Sequence, residues 1–302
     1  MAYARKRISR IYPAYFTVVM LCAILFAAVS SKSIGEYFSI EWIKYVFANL
    51  TFLNLLQPRL PGVFENNNLT DINASLWTIK IEVMFYLTVP IFVFLFRKFS
   101  RLWVLILVYC SSVAYAEILE AVARDTNKGI YEELSRQLPG QLSYFMAGAF
   151  FYYFLPLFER HVKYFLAAAT LILTINFVFP LPLLEPFALA TVVIFIGLFG
   201  YLGNFGNYGD FSYGMYILHY PIIQTILHFG WFKNNPWFFL ATVMVITTAG
   251  AIAMWHLVEK RFLGRRSHTN TKKSVSENIS PSLEQEPSPH DFSFRTSTSD
   301  IH

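Results

Sequence analysis

Charge is scarce in this sequence. Asp, Glu, Lys and Arg together make up 14% of its 302 residues, against roughly 25% in an average soluble domain. A fold of this size in water needs far more polar surface, which excludes an ordinary cytosolic enzyme. Cysteine is nearly absent. Cys22 and Cys110 cannot build a disulfide scaffold, and both stand inside apolar runs, where cysteine behaves as a small buried hydrophobe. Also missing are a Gly-rich phosphate loop, an HExxH helix, paired Cys/His spacings and a GxSxG elbow, so no metal site is expected. Nothing points to nucleic acid, and no internal repeat is apparent. What the chain does have is apolar surface: 55% of its residues are hydrophobic and 18% aromatic. That excludes a disordered chain and leaves a membrane protein.

A bilayer core takes about 20 apolar residues as a helix. Eight stretches qualify, at roughly 13–30, 79–96, 102–119, 139–157, 164–180, 187–203, 211–230 and 237–258. The shorter run from Trp42 to Leu56 holds Lys44, Asn49 and Asn54 and reads as an interfacial or re-entrant helix. The predicted fold class is therefore all-α: a polytopic integral membrane bundle of about eight transmembrane helices plus this one. With the N-terminus in the cytoplasm, the inner side receives Arg5, Lys6, Arg7, Arg10, Arg97, Lys98, Arg101, Arg160, Lys163 and the basic residues from Lys260 onward. That is twice as many as the outer side receives, as the positive-inside rule requires. Both termini are thus placed in the cytoplasm. Arg5 to Arg10 followed by an apolar run also fits a signal peptide, but the run is long, and Pro13 suits the first turn of a span. Residues 264–302 are rich in Ser, Thr, Asn, Glu and Pro. They are expected to be a disordered polar tail behind a membrane domain over 1–263.

An ionisable group at membrane depth costs several kcal/mol and so marks a candidate site. Three clusters stand out. In the first, Arg7 and Arg10 share one helical face, where two guanidiniums suit phosphate groups. Basic residues before a first span also serve topology and lipid contact, and spacing alone favours that simpler role. The second opens the span at 79–96: Ser75 reads as its N-cap, Trp77 as an interface residue and Glu82 as a carboxylate one turn inside. Glu82 is either paired with a basic side chain from another helix or functional. The third is Asp210-Phe211-Ser212-Tyr213-Gly214-Met215-Tyr216-Ile217-Leu218-His219-Tyr220-Pro221. There Tyr216 and His219 share a face and Tyr213 flanks it. A buried neutral His219 bonded between helices is the commoner outcome, with proton transfer as the alternative. Pro221 frees a carbonyl that needs a partner. Glu259-Lys260-Arg261 reads as a helix end in water.

The segments RKRISRIYP, SLWTIKIEVMFY and DFSYGMYILHYP, in this order and inside apolar spans, resemble the membrane-bound acyltransferase-3 family over residues 1 to about 263. The resemblance implies an O-acyltransferase of the bacterial inner membrane. Such an enzyme uses cytoplasmic acyl-CoA, with acetyl-CoA the default, and modifies a carbohydrate hydroxyl of a surface glycan such as lipopolysaccharide O-antigen. By likeness, Arg7 and Arg10 bind the CoA phosphates, and Ser75, Trp77 and Glu82 match a motif facing the outer side. Tyr213, Tyr216 and His219 match a third motif. Glu82 and His219 are the catalytic candidates. The family begins with two further helices, one carrying a catalytic His. Against that pattern this chain is expected to be an incomplete or naturally shortened member. A non-catalytic relative or partner is the alternative reading, and a secondary transporter a more distant one.

Overall fold

Long apolar runs become helices here because a helix satisfies every backbone N–H and C=O within itself, which a chain in lipid must do. The computed structural model describes residues 2–200 and 209–263, and these contain helices, turns and loops but no strand. The expected tail at 264–302 lies outside the described residues.

The long helices are α1 (Ala2–Leu25), α4 (Leu76–Lys98), α5 (Arg101–Thr126), α7 (Leu138–Tyr153), α8 (Leu155–Asn176), α9 (Glu185–Phe199), α10 (Ser212–His228) and α11 (Pro236–Met254). Short elements join them: α2 (Ile34–Tyr37), α3 (Ile40–Leu50), α6 (Gly129–Ser135) and α12 (Lys260–Phe262). A π-helical turn over Trp255–Glu259 links α11 to α12.

Among the described residues a helix occupies each of the eight predicted spans, but four helices there are both long and apolar enough to cross a membrane: Tyr3–Ala28, Leu76–Lys98, Arg101–Thr126 and Pro236–Phe262. The others fall short for visible reasons. Helices α7, α8 and α9 each begin at a proline in the first turn, which trims the apolar run to 16 residues in α7 and 15 in α9. Helix α8 has 22 residues but breaks at His161 (φ −121°, ψ 21°), and α10 has 17. The chain is a helical membrane protein. Bulky apolar side chains such as Trp103 and Leu107 point out of the bundle, as lipid contact allows.

Two details depart from the sequence reading. Pro13 does not open a span; α1 runs unbroken through it, so the basic cluster and the apolar segment are one helix of 24 residues. Cys110 faces outward, while Cys22 is buried as expected.

Helix α1 is the hub. Ile11, Ala14, Tyr15, Val18, Val19, Cys22 and Ala23 recur at helical spacing and are all buried. They pack on Tyr37, Tyr45, the loop residues Leu60, Val63, Phe64 and Ile72, the start of α4 (Leu76, Ile79), Ile217 of α10 and Met254 of α11. Helix α3 covers the run predicted as interfacial, ends at Leu50 and lies against α1. The Tyr15 hydroxyl donates to the Asn49 carbonyl (2.7 Å), and Tyr37 and Trp42 both donate to the Ala23 carbonyl. A second apolar cluster joins Phe92 and Phe96 of α4 to Leu105 of α5 and Met146 of α7. One helix, α4, therefore touches both halves of the core.

Candidate active site

The loop of residues 51–75 fixes where α4 begins, and it is stitched to α10 by buried amides. Gln224 of α10 donates to the carbonyls of Leu69 (2.6 Å) and Asp71 (2.8 Å). Asn67 returns hydrogen bonds to the Gln224 carbonyl and side chain. Gly62 (φ +68°) turns this loop so closely over the segment that follows α1 that a Cβ there would lie 2.6 Å from Ser30 Oγ. Pro221 leaves the Ile217 carbonyl without its helical donor, and the Asn73 amide supplies one at 2.8 Å. Ser75 is nearly buried but caps nothing: its φ/ψ are helical and its hydroxyl donates to Asn73 Oδ1 at 2.6 Å. The expected N-cap is thus a brace that orients the amide holding α10. Asp210, in contrast, accepts from the backbone N–H and hydroxyl of Ser212 at the start of α10.

This bracing sets α1, α4 and α10 around a cavity of about 770 Å³, within the usual range for small-ligand sites. Six of the sequence-predicted residues line it: Arg7 and Arg10 from α1, Trp77 and Glu82 from α4, and Tyr213 and Tyr216 from α10. Ser75 stands just behind. Gln141 and Tyr144 of α7 complete one wall. Gln141 escaped the sequence reading, although a polar side chain inside an apolar run was the available signal.

The arginines are held differently. Arg10 pairs with Asp210 at 2.8 Å, both side chains about half exposed. Arg7 makes no ion pair among the described residues. Its guanidinium sits 4.7 Å from the Tyr86 ring centroid and 5.5 Å from that of Tyr3, a cation–π contact that leaves its N–H donors free. Glu82 accepts from the Tyr86 hydroxyl at 2.5 Å. Among the described residues it has no ion-pair partner, so the structural pairing with a basic side chain is not what holds it. Tyr213 donates to the Ile11 carbonyl (3.1 Å), and the Thr78 and Tyr216 hydroxyls bond one another.

His219 is not brought in. Its Nδ1 lies 2.6 Å from the Tyr216 carbonyl. A carbonyl can only accept, so Nδ1 carries a proton and donates this bond. The imidazole is absent from the cavity wall. Glu259 is the opposite surprise. Expected at a helix end in water, it is 3% exposed.

The cavity therefore offers two guanidiniums, one carboxylate and several phenols beside the low-dielectric core, a set able to bind an anion and accept a proton. Comparison with known proteins agrees with that chemistry. The family model described as an acyltransferase domain, of the acyltransferase-3 type, matches residues 1–256. Over 281 residues the chain is 24% identical to an O-acetyl transferase of Shigella phage Sf6, covering 87% of this chain and 77% of that protein. No solved structure matches.

Proposed function

Starting from the fact that this chain belongs to the acyltransferase-3 family, we propose that it transfers an acyl group, acetyl by default, from cytoplasmic acyl-CoA to a carbohydrate hydroxyl. The acceptor is a cell-surface glycan of the lipopolysaccharide O-antigen kind. The acetyl assignment draws on the name of the phage relative. The proposed setting is the bacterial inner membrane, with eight helices across it over residues 1–263 and both termini cytoplasmic. The observation that carries the proposal is the convergence of Arg7, Arg10, Glu82, Tyr213 and Tyr216 on one cavity from helices far apart in sequence.

In this reading Arg7 and Arg10 take the phosphates of CoA, since each guanidinium can offer a phosphate two parallel hydrogen bonds. The acceptor hydroxyl attacks the thioester carbonyl, a C–O bond forms, the C–S bond breaks, and CoA leaves as the thiol. Glu82 receives the hydroxyl proton and passes it toward the sulfur. Its bond to Tyr86 fixes one carboxylate oxygen, and the residue lines the cavity. Ser75 positions α10, and Trp77 lines the end of the cavity nearest the start of α4. His219 is outside this scheme.

Labelled acetyl-CoA supplied to membranes containing the chain tests the proposal. Label is expected in the glycan fraction. Glu82→Gln is expected to lower kcat by about 10²–10⁴, the usual contribution of a positioned general base. Arg7→Ala and Arg10→Ala are expected to raise KM for acetyl-CoA. No label in the glycan, or full activity in Glu82→Gln, overturns it.

A further inference from the structure

Helices α4 and α7 meet through aromatic rings. Phe145 of α7 stacks on Phe85 at 5.0 Å, and its ring lies 5.8 Å from that of Phe92. Between the same two helices lies a second cavity of about 480 Å³, which shares only Tyr144 with the candidate active cavity. Among the described residues no charged side chain lines it. Gly148 makes room there, since a Cβ on it would meet nothing within 4 Å. Along α4 the lining runs from Val89 to Phe96, about 10 Å at 1.5 Å per residue, or about a third of a bilayer core. Val93 is 40% exposed and Tyr152 79% exposed, so the cavity is a groove open at the molecular surface. An apolar groove in a membrane protein takes hydrocarbon, because such a lining holds water poorly.

Charge marks one end of the groove. Tyr153 lines it and meets Phe96 edge to face at 5.1 Å. The Arg101 guanidinium lies 5.0 Å from the centroid of the same Tyr153 ring. Lys98 stands 5.9 Å from the Phe94 ring and 5.7 Å from that of Phe99, and Arg97 precedes it in the chain. None of these three cations has an ion-pair partner among the described residues. A ring occupies one face of a guanidinium and leaves its N–H edge free. That edge matches a phosphate, which accepts two parallel hydrogen bonds from it. A hydrocarbon slot that ends at unpaired cations is complementary to an acyl chain joined to a phosphate.

We infer that the groove between α4 and α7 is a binding site for an anionic phospholipid. One acyl chain lies in the groove, and the phosphate rests on Arg101, with Lys98 and Arg97 adding positive charge around it. This site is independent of the acyl-transfer reading. The full chain in nanodiscs of equimolar dioleoyl phosphatidylglycerol and dioleoyl phosphatidylcholine tests it, the lipids that stay bound on release from the disc being counted by native mass spectrometry. The acyl chains are identical, so a preference reports the headgroup. About tenfold enrichment of phosphatidylglycerol is expected, the scale of one charge-assisted contact. Arg101→Gln should bring the ratio close to one, and Arg101→Lys should recover part of it. Arg124→Gln removes the same charge from the far end of α5 and should leave the ratio unchanged. Gly148→Leu fills the groove where there is space for it and should remove retained lipid of both kinds, while Gly148→Ala should keep it. Equal retention of the two lipids, an equal loss in Arg124→Gln, or full retention in Gly148→Leu overturns the inference. So does displacement of the lipid by glycerol phosphate alone, which would leave the groove without a role. A dimer that Gly148→Leu abolishes would give the groove to a second copy of the chain. Loss of bound lipid to octanoyl-CoA but not to CoA would give it to the donor's acyl chain. Either result overturns the lipid site.

Discussion

At the scale of single residues, the fold depends on buried polar groups that satisfy one another across long stretches of chain. Asn73 is the sharpest case. Its amide serves the Ile217 carbonyl that Pro221 has orphaned, 144 positions away. Asn73→Ala leaves that carbonyl unpaired in the core, a cost of about 1–3 kcal/mol. A lowered melting temperature in detergent is expected, together with loss of acyl transfer because α10 carries Tyr213 and Tyr216. An unchanged melting temperature would refute the role. The orphaned carbonyl was legible in the sequence, since proline always creates one; its partner was not, because nothing local records which distant amide will face it. The same distinction separates Glu82 from Glu259. Glu82 declared itself by interrupting an apolar run. Glu259 was hidden by the adjacent Lys260 and Arg261, which imitate a helix end in water, and by a register shift that only the folded backbone reveals. His219 follows the same rule: helical periodicity places it beside Tyr216 but does not say which side of α10 meets the cavity.

At the scale of helices, apolar length located each long element, while prolines and caps decided where it stopped. The run near 187–203 became a 15-residue helix because Pro186 opens it and Gly200 closes it. Pro13 did the reverse, lying inside α1 without ending it, because the buried stripe from Ile11 to Ala23 packs on the core and holds that helix together. Closest approach between helices is set by small residues, as membrane packing favours. At Gly214 of α10 a Cβ would lie 3.1 Å from Ala251 Cα and 3.2 Å from its Cβ on α11. Gly214→Ala therefore demands a small retreat of α11, and Gly214→Leu a larger one, costing about 1–3 kcal/mol by analogy with overpacked cores. Melting temperature should fall in the order wild type, Ala, Leu. Because α10 carries Tyr213 and Tyr216 on the cavity wall, KM for the donor should rise in the same order. A stability loss with no change in KM would uncouple the α10–α11 contact from the cavity.

At the scale of the whole molecule, the proposed topology puts the starts of α1 and α4 on opposite sides of the membrane, and one cavity touches both helices. Basic residues at the start of α1 and the Ser75–Trp77 segment were expected to face different sides, and the structure nonetheless gives Arg7 and Trp77 a common cavity. Along α4 the lining runs from Trp77 to Tyr86, nearly 14 Å or about half a bilayer core at 1.5 Å per residue. Under the proposed topology such a depth would let a donor enter from one side and an acceptor from the other, and would keep the thioester away from bulk water. Two chains, each with one new cysteine and both with Cys110→Ala, test this arrangement in sealed inside-out and right-side-out vesicles. Thr78→Cys should react with a membrane-impermeant maleimide from the outer side and be shielded by the glycan acceptor. Ser9→Cys should react from the cytoplasmic side and be shielded by CoA. The buried Cys22 serves as the unreactive control. Both cysteines labelling from the same side would mean that the cavity opens to one compartment, and donor and acceptor would then have to share an entrance.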